Sequence, residues 1–248
     1  MSKVMLVTGG ARGIGAATAK LAAAEGYRVA LCYRKNSDAA DALVSDIEKA
    51  GGAALAVKAD VAVESDVTAL FETIDREFGR IDALVNNAGV TAGDSLVADI
   101  RADQLQEVFA VNVFGAFLCA REAVRRMSTA AGGQGGAIVN ISSGASKTGS
   151  PGTRVHYAAT KGAIDTMTLG LAREVATQGI RVNAVRAGVT ETDAHGFDEN
   201  PALRERMTAM IPVRRIATTD EIAETVLWLL SDKASYVTAS LVDAGGGI

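Results

Sequence analysis

Thr8-Gly9-Gly10-Ala11-Arg12-Gly13-Ile14-Gly15 decides how the rest of the chain is read. It joins an apolar strand-like run, Val4–Thr8, to a helical pattern carried by Ile14, Ala17, Leu21 and Ala24 and closed by Gly26. A strand that passes into a helix this abruptly needs positions without a Cβ. They reach unusual dihedrals, and they let a ligand come close to the backbone. The first turn of the helix carries unpaired N–H groups and the positive end of the dipole, a natural seat for a phosphate. Glycines also make plain turns, so the cluster gains its meaning from where it stands.

Outward from this turn, β-branched runs alternate with helical ones. Strands are expected at Arg28–Tyr33, Ala53–Lys58, Ala83–Asn86, Ala137–Ser142, Arg181–Val185 and Val237–Asp243. Helices are expected at Asp38–Ala50, Asp66–Phe78, Gln104–Ala130, Tyr157–Thr177 and Asp220–Leu230. Near-continuous apolar strands separated by helices imply a parallel sheet buried on both faces. Right-handed crossovers then wind the helices onto both sides. The expectation is an α/β fold, a doubly wound parallel sheet of about seven strands (a Rossmann fold), in one domain over 1–248. Ala187–Pro212 shows no clear period and reads as an irregular lid that shapes the substrate site.

Composition narrows the function classes. The 248 residues carry a formal net charge of −4, and Arg125–Arg126 and Arg214–Arg215 are pairs rather than a basic stripe, which argues against nucleic acid. No apolar run approaches the ~18 residues that would span a membrane. The N-terminus enters a strand at once, without the pattern of a signal peptide. Two cysteines make no disulfide framework, and a reducing, cytoplasmic setting is expected. Two histidines and two cysteines far apart have no metal-ligand spacing.

Further motifs follow in order. Asp60-Val61 ends the third strand, Asn86-Asn87-Ala88-Gly89 the fourth, and Ile141-Ser142-Ser143 the fifth. Asn112 sits within Val111-Asn112-Val113-Phe114-Gly115, and Tyr157-Ala158-Ala159-Thr160-Lys161 opens the next helix. With the Gly9-x-x-x-Gly13-x-Gly15 spacing, this set resembles the short-chain dehydrogenase/reductase family over essentially the whole chain. The branch it resembles holds 3-oxoacyl-carrier-protein reductases and glucose dehydrogenases. The resemblance implies an oxidoreductase acting on a small carbonyl or alcohol through a Ser-Tyr-Lys-Asn site. It implies cofactor contacts from Gly9, Gly13, Ile14 and Gly15 at the pyrophosphate. Asp60 and Val61 would meet the adenine, with Asn87, Ala88 and Gly89 beyond it. Gly188, Thr190 and Thr192 follow strand six. A homotetramer or homodimer is implied as well.

The chemistry can be argued from the residues themselves. Tyr157 and Lys161 are four apart and share a helix face. A carbonyl that accepts hydride must also receive a proton, and the reverse reaction needs a base. A phenol ionises near pH 10 in water, so base chemistry at neutral pH calls for a nearby cation. Ser143 can donate to the substrate oxygen as charge develops there. Taken alone, the Tyr/Lys pair would be an ordinary amphipathic spacing. Asn112 as a water-linked relay is carried by the resemblance only. Ser143 is preferred to Ser142 on the same ground. His156 and His195 are expected as exposed loop residues. A Ser143–His156 hydrolase lacks the Gly-x-Ser-x-Gly elbow it would need.

Strand two ends in Tyr33, Arg34 and Lys35 rather than in the acid that holds an NAD ribose. Arg12 lies inside the turn, and the guanidinium fork suits phosphate oxygens. NADP is therefore expected over NAD. Two departures from the family stand out: Ser143 and Tyr157 are fourteen apart, one more than its commonest spacing, and Ala187-Gly188 replaces Pro-Gly. A silent dinucleotide sensor or scaffold with the same fold is the alternative, and loss of Tyr or Lys would be its signature.

Overall fold

Every strand lies parallel to its neighbours in one seven-stranded sheet among the residues described in the computed structural model, which are 2–192, 197 and 200–248. The strands are β1 (Val4–Val7), β2 (Arg28–Tyr33), β3 (Ala53–Lys58), β4 (Ala83–Asn86), β5 (Gly136–Ser143), β6 (Ile180–Ala187) and β7 (Leu241–Ala244). They run in the order β3-β2-β1-β4-β5-β6-β7. The winding reverses between β1 and β4, and such a reversal opens a crevice at the carboxyl ends of the strands.

Two-residue alternation divides the core. Val4, Leu6, Ala30, Leu84, Ile138 and Val182 pack on one face against α3 (Glu64–Phe78), α5 (Gly115–Met127) and α7 (Val155–Val175). Met5, Val7, Val29, Leu31, Val85 and Val139 pack on the other against α1 (Gly13–Ala24), α2 (Ser37–Lys49) and α9 (Thr219–Leu230). Apolar side chains thus line both faces, as a sheet covered by helices on each side requires.

The structure redraws four segments. The stretch expected as one helix over Gln104–Ala130 is α4 (Ala102–Phe109), a π turn over Ala110–Phe114, and α5. The lid stretch contains a regular helix, α8 (Pro201–Met210), started by Asn200, whose side chain accepts from the Leu203 N–H, and by Pro201. A four-residue helix, α6 (Ala145–Thr148), follows β5 directly. The last strand begins at Leu241 rather than Val237, because Ala239 takes a positive φ of 56° that breaks the extended run.

Candidate active site

The glycine turn is stitched to the end of β4. Thr8 Oγ1 donates to Val85 O at 3.3 Å and accepts from Asn87 N at 2.9 Å and Ala88 N at 3.0 Å. Asn87 Nδ2 returns two bonds, to Thr8 O and Gly9 O, at 2.9 and 3.1 Å. This closeness is what the glycines permit. A Cβ on Gly9 would come 3.0 Å from Ala88 Cα, and one on Gly15 would come 2.6 Å from both Gly9 O and Asn87 Nδ2. Helix α1 starts without a side-chain cap and without an acid in its first turn. Its first N–H groups stay available to an anion.

A cleft of about 480 Å³ opens over this turn, ample for a dinucleotide's polar half. Gly9, Arg12, Gly13 and Ile14 form its floor, with Asn87, Ala88 and Gly89 beside them. At the far end stand Tyr33, Arg34, Asp60 and Val61. Arg34 and Asp60 face each other at 3.7 Å, both partly exposed. Cys32 also lines this end, and burial pushes its thiol up to about 11, so it serves as wall rather than nucleophile.

The other end carries Tyr157, Lys161 and Thr192. Lys161 is almost fully buried, its Nζ donating to Ile141 O at 2.7 Å and standing 5.6 Å from the centre of the Tyr157 ring. Asn112 lies in the π turn, a local widening of the helix that recurs at functional sites. Its amide is spent on structure: Nδ2 donates to Val90 O and Thr160 Oγ1, and Oδ1 accepts from Val90 N. Space next to Gly89 lies within reach of both Asn112 Oδ1 and Lys161 Nζ, since a Cβ there would be 3.4 and 3.7 Å from them.

The paired serines separate cleanly. Ser142 is buried and donates to Asp165 Oδ1 at 2.6 Å, whereas Ser143 is part-exposed and accepts from Ala145 N at 3.1 Å. Among the described residues the Ser143 proton has no acceptor, so it is the serine free to donate.

Five expected residues stand off the cleft wall: Gly15, Asn112, Ser143, Gly188 and Thr190. Gly15 supports the turn from behind. Gly188 packs on Gly245, and Thr190 is buried with its hydroxyl on Gly188 O at 3.0 Å. The base of the loop is tied down there by Glu191 N to Ala217 O and Ala217 N to Val189 O, at 2.9 and 3.0 Å. Ala187 itself is built into the ladder between β5 and β7, so this loop does not depend on the family's proline for its seat.

His156 is not the exposed loop residue expected. It is in the first turn of α7, 5% exposed, with Nε2 3.0 Å from Thr91 O. Sequence reasoning passed over Val90 and Thr91, which extend the wall beyond Gly89, and Ile141, which faces Lys161. For Val90 and Thr91 the position directly after the Asn-Asn-Ala-Gly run was the available signal, and for Ile141 its place just before the paired serines. His195 and the neighbouring lid positions 193, 194 and 196 lie outside the described residues.

Comparison with known proteins agrees with this geometry. A family model described as enoyl-(acyl carrier protein) reductase matches residues 9–248. An uncharacterized oxidoreductase of Escherichia coli K12, YgfF, is 50% identical over 244 residues, covering 98% of this chain and 99% of that protein. The 3-oxoacyl-[acyl-carrier-protein] reductase FabG of Staphylococcus aureus is 38% identical over 248 residues, covering 100% and 98%. A Serratia marcescens short-chain dehydrogenase/reductase mutant superposes with a TM-score of 0.92 at 34% identity, covering 99% and 97%. A blue fluorescent protein from a metagenomic library, solved with NADPH, gives 0.91 at 32% identity with the same coverage. No described helix is long and apolar enough to cross a membrane.

Proposed function

Because the chain belongs to the short-chain dehydrogenase/reductase family, oxidoreductases acting on carbonyl and alcohol groups of small molecules, we propose that it moves a hydride between NADP(H) and a small carbonyl or alcohol. One observation carries the reading: Tyr157 and Lys161 share a cleft wall with the glycine turn and the start of α1.

The residues present fit a dinucleotide. Gly9, Gly13 and Gly15 leave the cradle open, and the uncapped α1 end suits a pyrophosphate. Arg34 and Lys35 supply cations at the far end, just past a β2 that carries no acid, and Arg12 adds a third from the floor. That set favours a 2′-phosphate, with Arg34 as the main donor. Thr192 would meet the nicotinamide end. When bound, the cofactor supplies or accepts the hydride.

The chain's own residues handle the proton and the oxygen. Tyr157 gives its phenolic proton to the carbonyl oxygen in reduction and takes it back in oxidation. Lys161 holds positive charge over the ring, which offsets the negative charge left on the phenol oxygen. Ser143 directs its free proton to the same substrate oxygen. Asn112 sets the Val90 loop and the Thr160 turn, and its Oδ1 borders the same space beside Gly89 as Lys161 Nζ.

Tyr157→Phe should lower turnover of ethyl acetoacetate with NADPH by on the order of 10²-fold or more, while NADPH still binds. An active Tyr157→Phe protein overturns the mechanism. Arg34→Ala should weaken NADPH about tenfold, in line with one lost charged hydrogen bond, and leave NADH unchanged. NADH preference in the wild type would overturn the cofactor assignment. Binding without turnover would favour a sensor or scaffold.

The same reading extends to assembly and setting. Phe114 and Phe117, 62% and 52% exposed on one stripe of the π turn and α5, form an apolar surface suited to a homotetramer or homodimer. The free, buried Cys32 and Cys119 suit a reducing cytoplasm.

A further inference from the structure

Three polar side chains form a row across the sheet. Strand register sets Ser142 beside Arg186 and Arg186 beside Asp243. Asp165 of α7 closes over the row. One carboxylate oxygen accepts from Ser142 Oγ at 2.6 Å, and the other takes Arg186 Nε at 3.0 Å and Nη2 at 2.9 Å. Arg186 reaches on to Asp243 at 3.6 Å, and Asp243 takes Lys147 Nζ of α6 at 3.0 Å. The side chains of Asp165 and Arg186 are only 10% and 19% exposed. Burial works against the charge on Arg186, and Asp165 with Asp243 more than restores it, so its pKa is raised.

The fold alone does not ask for charges here. A buried ion pair is often no more stable than apolar side chains of the same volume. What the row does supply is alignment. Ser142 is the neighbour of Ser143. Asp165 is one turn beyond Lys161 and two beyond Tyr157 on the same helix. The Ser142–Asp165 bond therefore spans directly between the strand end bearing Ser143 and the helix bearing Tyr157, and Lys161 O lies 3.4 Å from the same Ser142 hydroxyl. The covalent connection cannot do this. It carries three positive-φ residues, Gly149, Ser150 and Gly152, and one residue more than the family's usual spacing.

We infer that Asp165 and Arg186 are positioning residues that fix α7 on β5, and through Asp243 and Lys147 fix α6, so that Ser143 and Tyr157 address one carbonyl oxygen. This rests on the hydride-transfer reading above. Neither side chain lines the cleft, so both act through others.

The test compares full-length wild type, Arg186→Met, the double variant Asp165→Leu/Arg186→Met, and Tyr157→Phe. Melting temperature, NADPH affinity, and kcat and KM for ethyl acetoacetate are measured on each. Arg186→Met strands a buried carboxylate and is expected to lose stability. The double variant removes both charges and should melt within about 4 °C of wild type. Its NADPH affinity should hold while kcat falls on the order of 10- to 100-fold, the cost of a reacting group displaced by about 1 Å. A double variant with wild-type kcat overturns the inference, as does a loss of kcat that only tracks a fall in melting temperature. Retained activity in Tyr157→Phe overturns instead the reading on which the inference rests.

Discussion

Thr8 holds together two loops 79 residues apart in sequence with a single hydroxyl. Thr8→Val keeps the shape but leaves Asn87 N and Ala88 N without their acceptor. At about 1–3 kcal/mol for each buried unsatisfied donor, the loss should be roughly 2–6 kcal/mol, measurable by denaturant unfolding. Thr8→Ser, which keeps the oxygen, should recover most of it. Gly15→Ala tests the same junction from the other side. Its Cβ would meet the backbone at 2.6 Å, so NADPH affinity should fall at least tenfold, a drop of about 1.4 kcal/mol, and titration checks it. The glycines and the Tyr157/Lys161 pair were legible because short spacings express their geometry. Asp165 and Arg186 were not, since only the packing of α7 on the sheet brings together these positions 21 apart. A charged residue two turns along the Tyr157 face was the hint.

Elements declared themselves where polar residues bound an apolar run. β2, β3 and β4 fall at the bounds their sequence gives, because each is a short, mostly apolar run stopped by a polar or charged residue: Arg34 after β2, Lys58 in β3 and Asn86 in β4. Helix α8 buries no residue fully, and its stripe is only Leu203 and Met207, packed on Ile211 and Ile216, although its Asn200-Pro201 start is a recognisable cap. The π turn at Asn112 has no periodic signature either, since a single widened turn leaves the apolar spacing on both sides intact. Helix α9 offers a pH test. Its cap pairs Thr218 with Glu221, and the Arg215 guanidinium, aided by the Thr218 N–H, lowers Glu221 from the ordinary 4.5 to about 2. A carboxylate depressed on folding stabilises above its unfolded pKa, and that contribution is lost as pH falls through the folded one. Glu221→Gln should therefore melt slightly below wild type at neutral pH, with the gap closing from about pH 4.5 towards 2. The pair is exposed, so salt should shrink the gap as well. A gap constant with pH would assign it to the hydrogen bond rather than the charge.

The architecture of the whole molecule followed from alternation and strand composition, whereas its outer surface did not, because exposed Phe114 and Phe117 look like core residues in a list of letters. If this stripe is buried between subunits, Phe117→Glu should lower the sedimentation coefficient and make melting depend less on protein concentration. Unchanged sedimentation at matched concentration would leave the assembly to another face. The strand order has a consequence for birth of the protein on the ribosome. β1 pairs with β4, so the Thr8–Asn87 stitch must wait until the fourth strand has emerged. The glycine turn and the end of β4 can then meet while α7 is still being synthesised, a lead of several seconds at roughly 5–20 residues per second. β7, which brings Asp243, comes last of all. Helix α1, which opens from the glycine turn, shares its core with Ile222 and Val226 of α9, so the turn gains its full support only as the last helix is made.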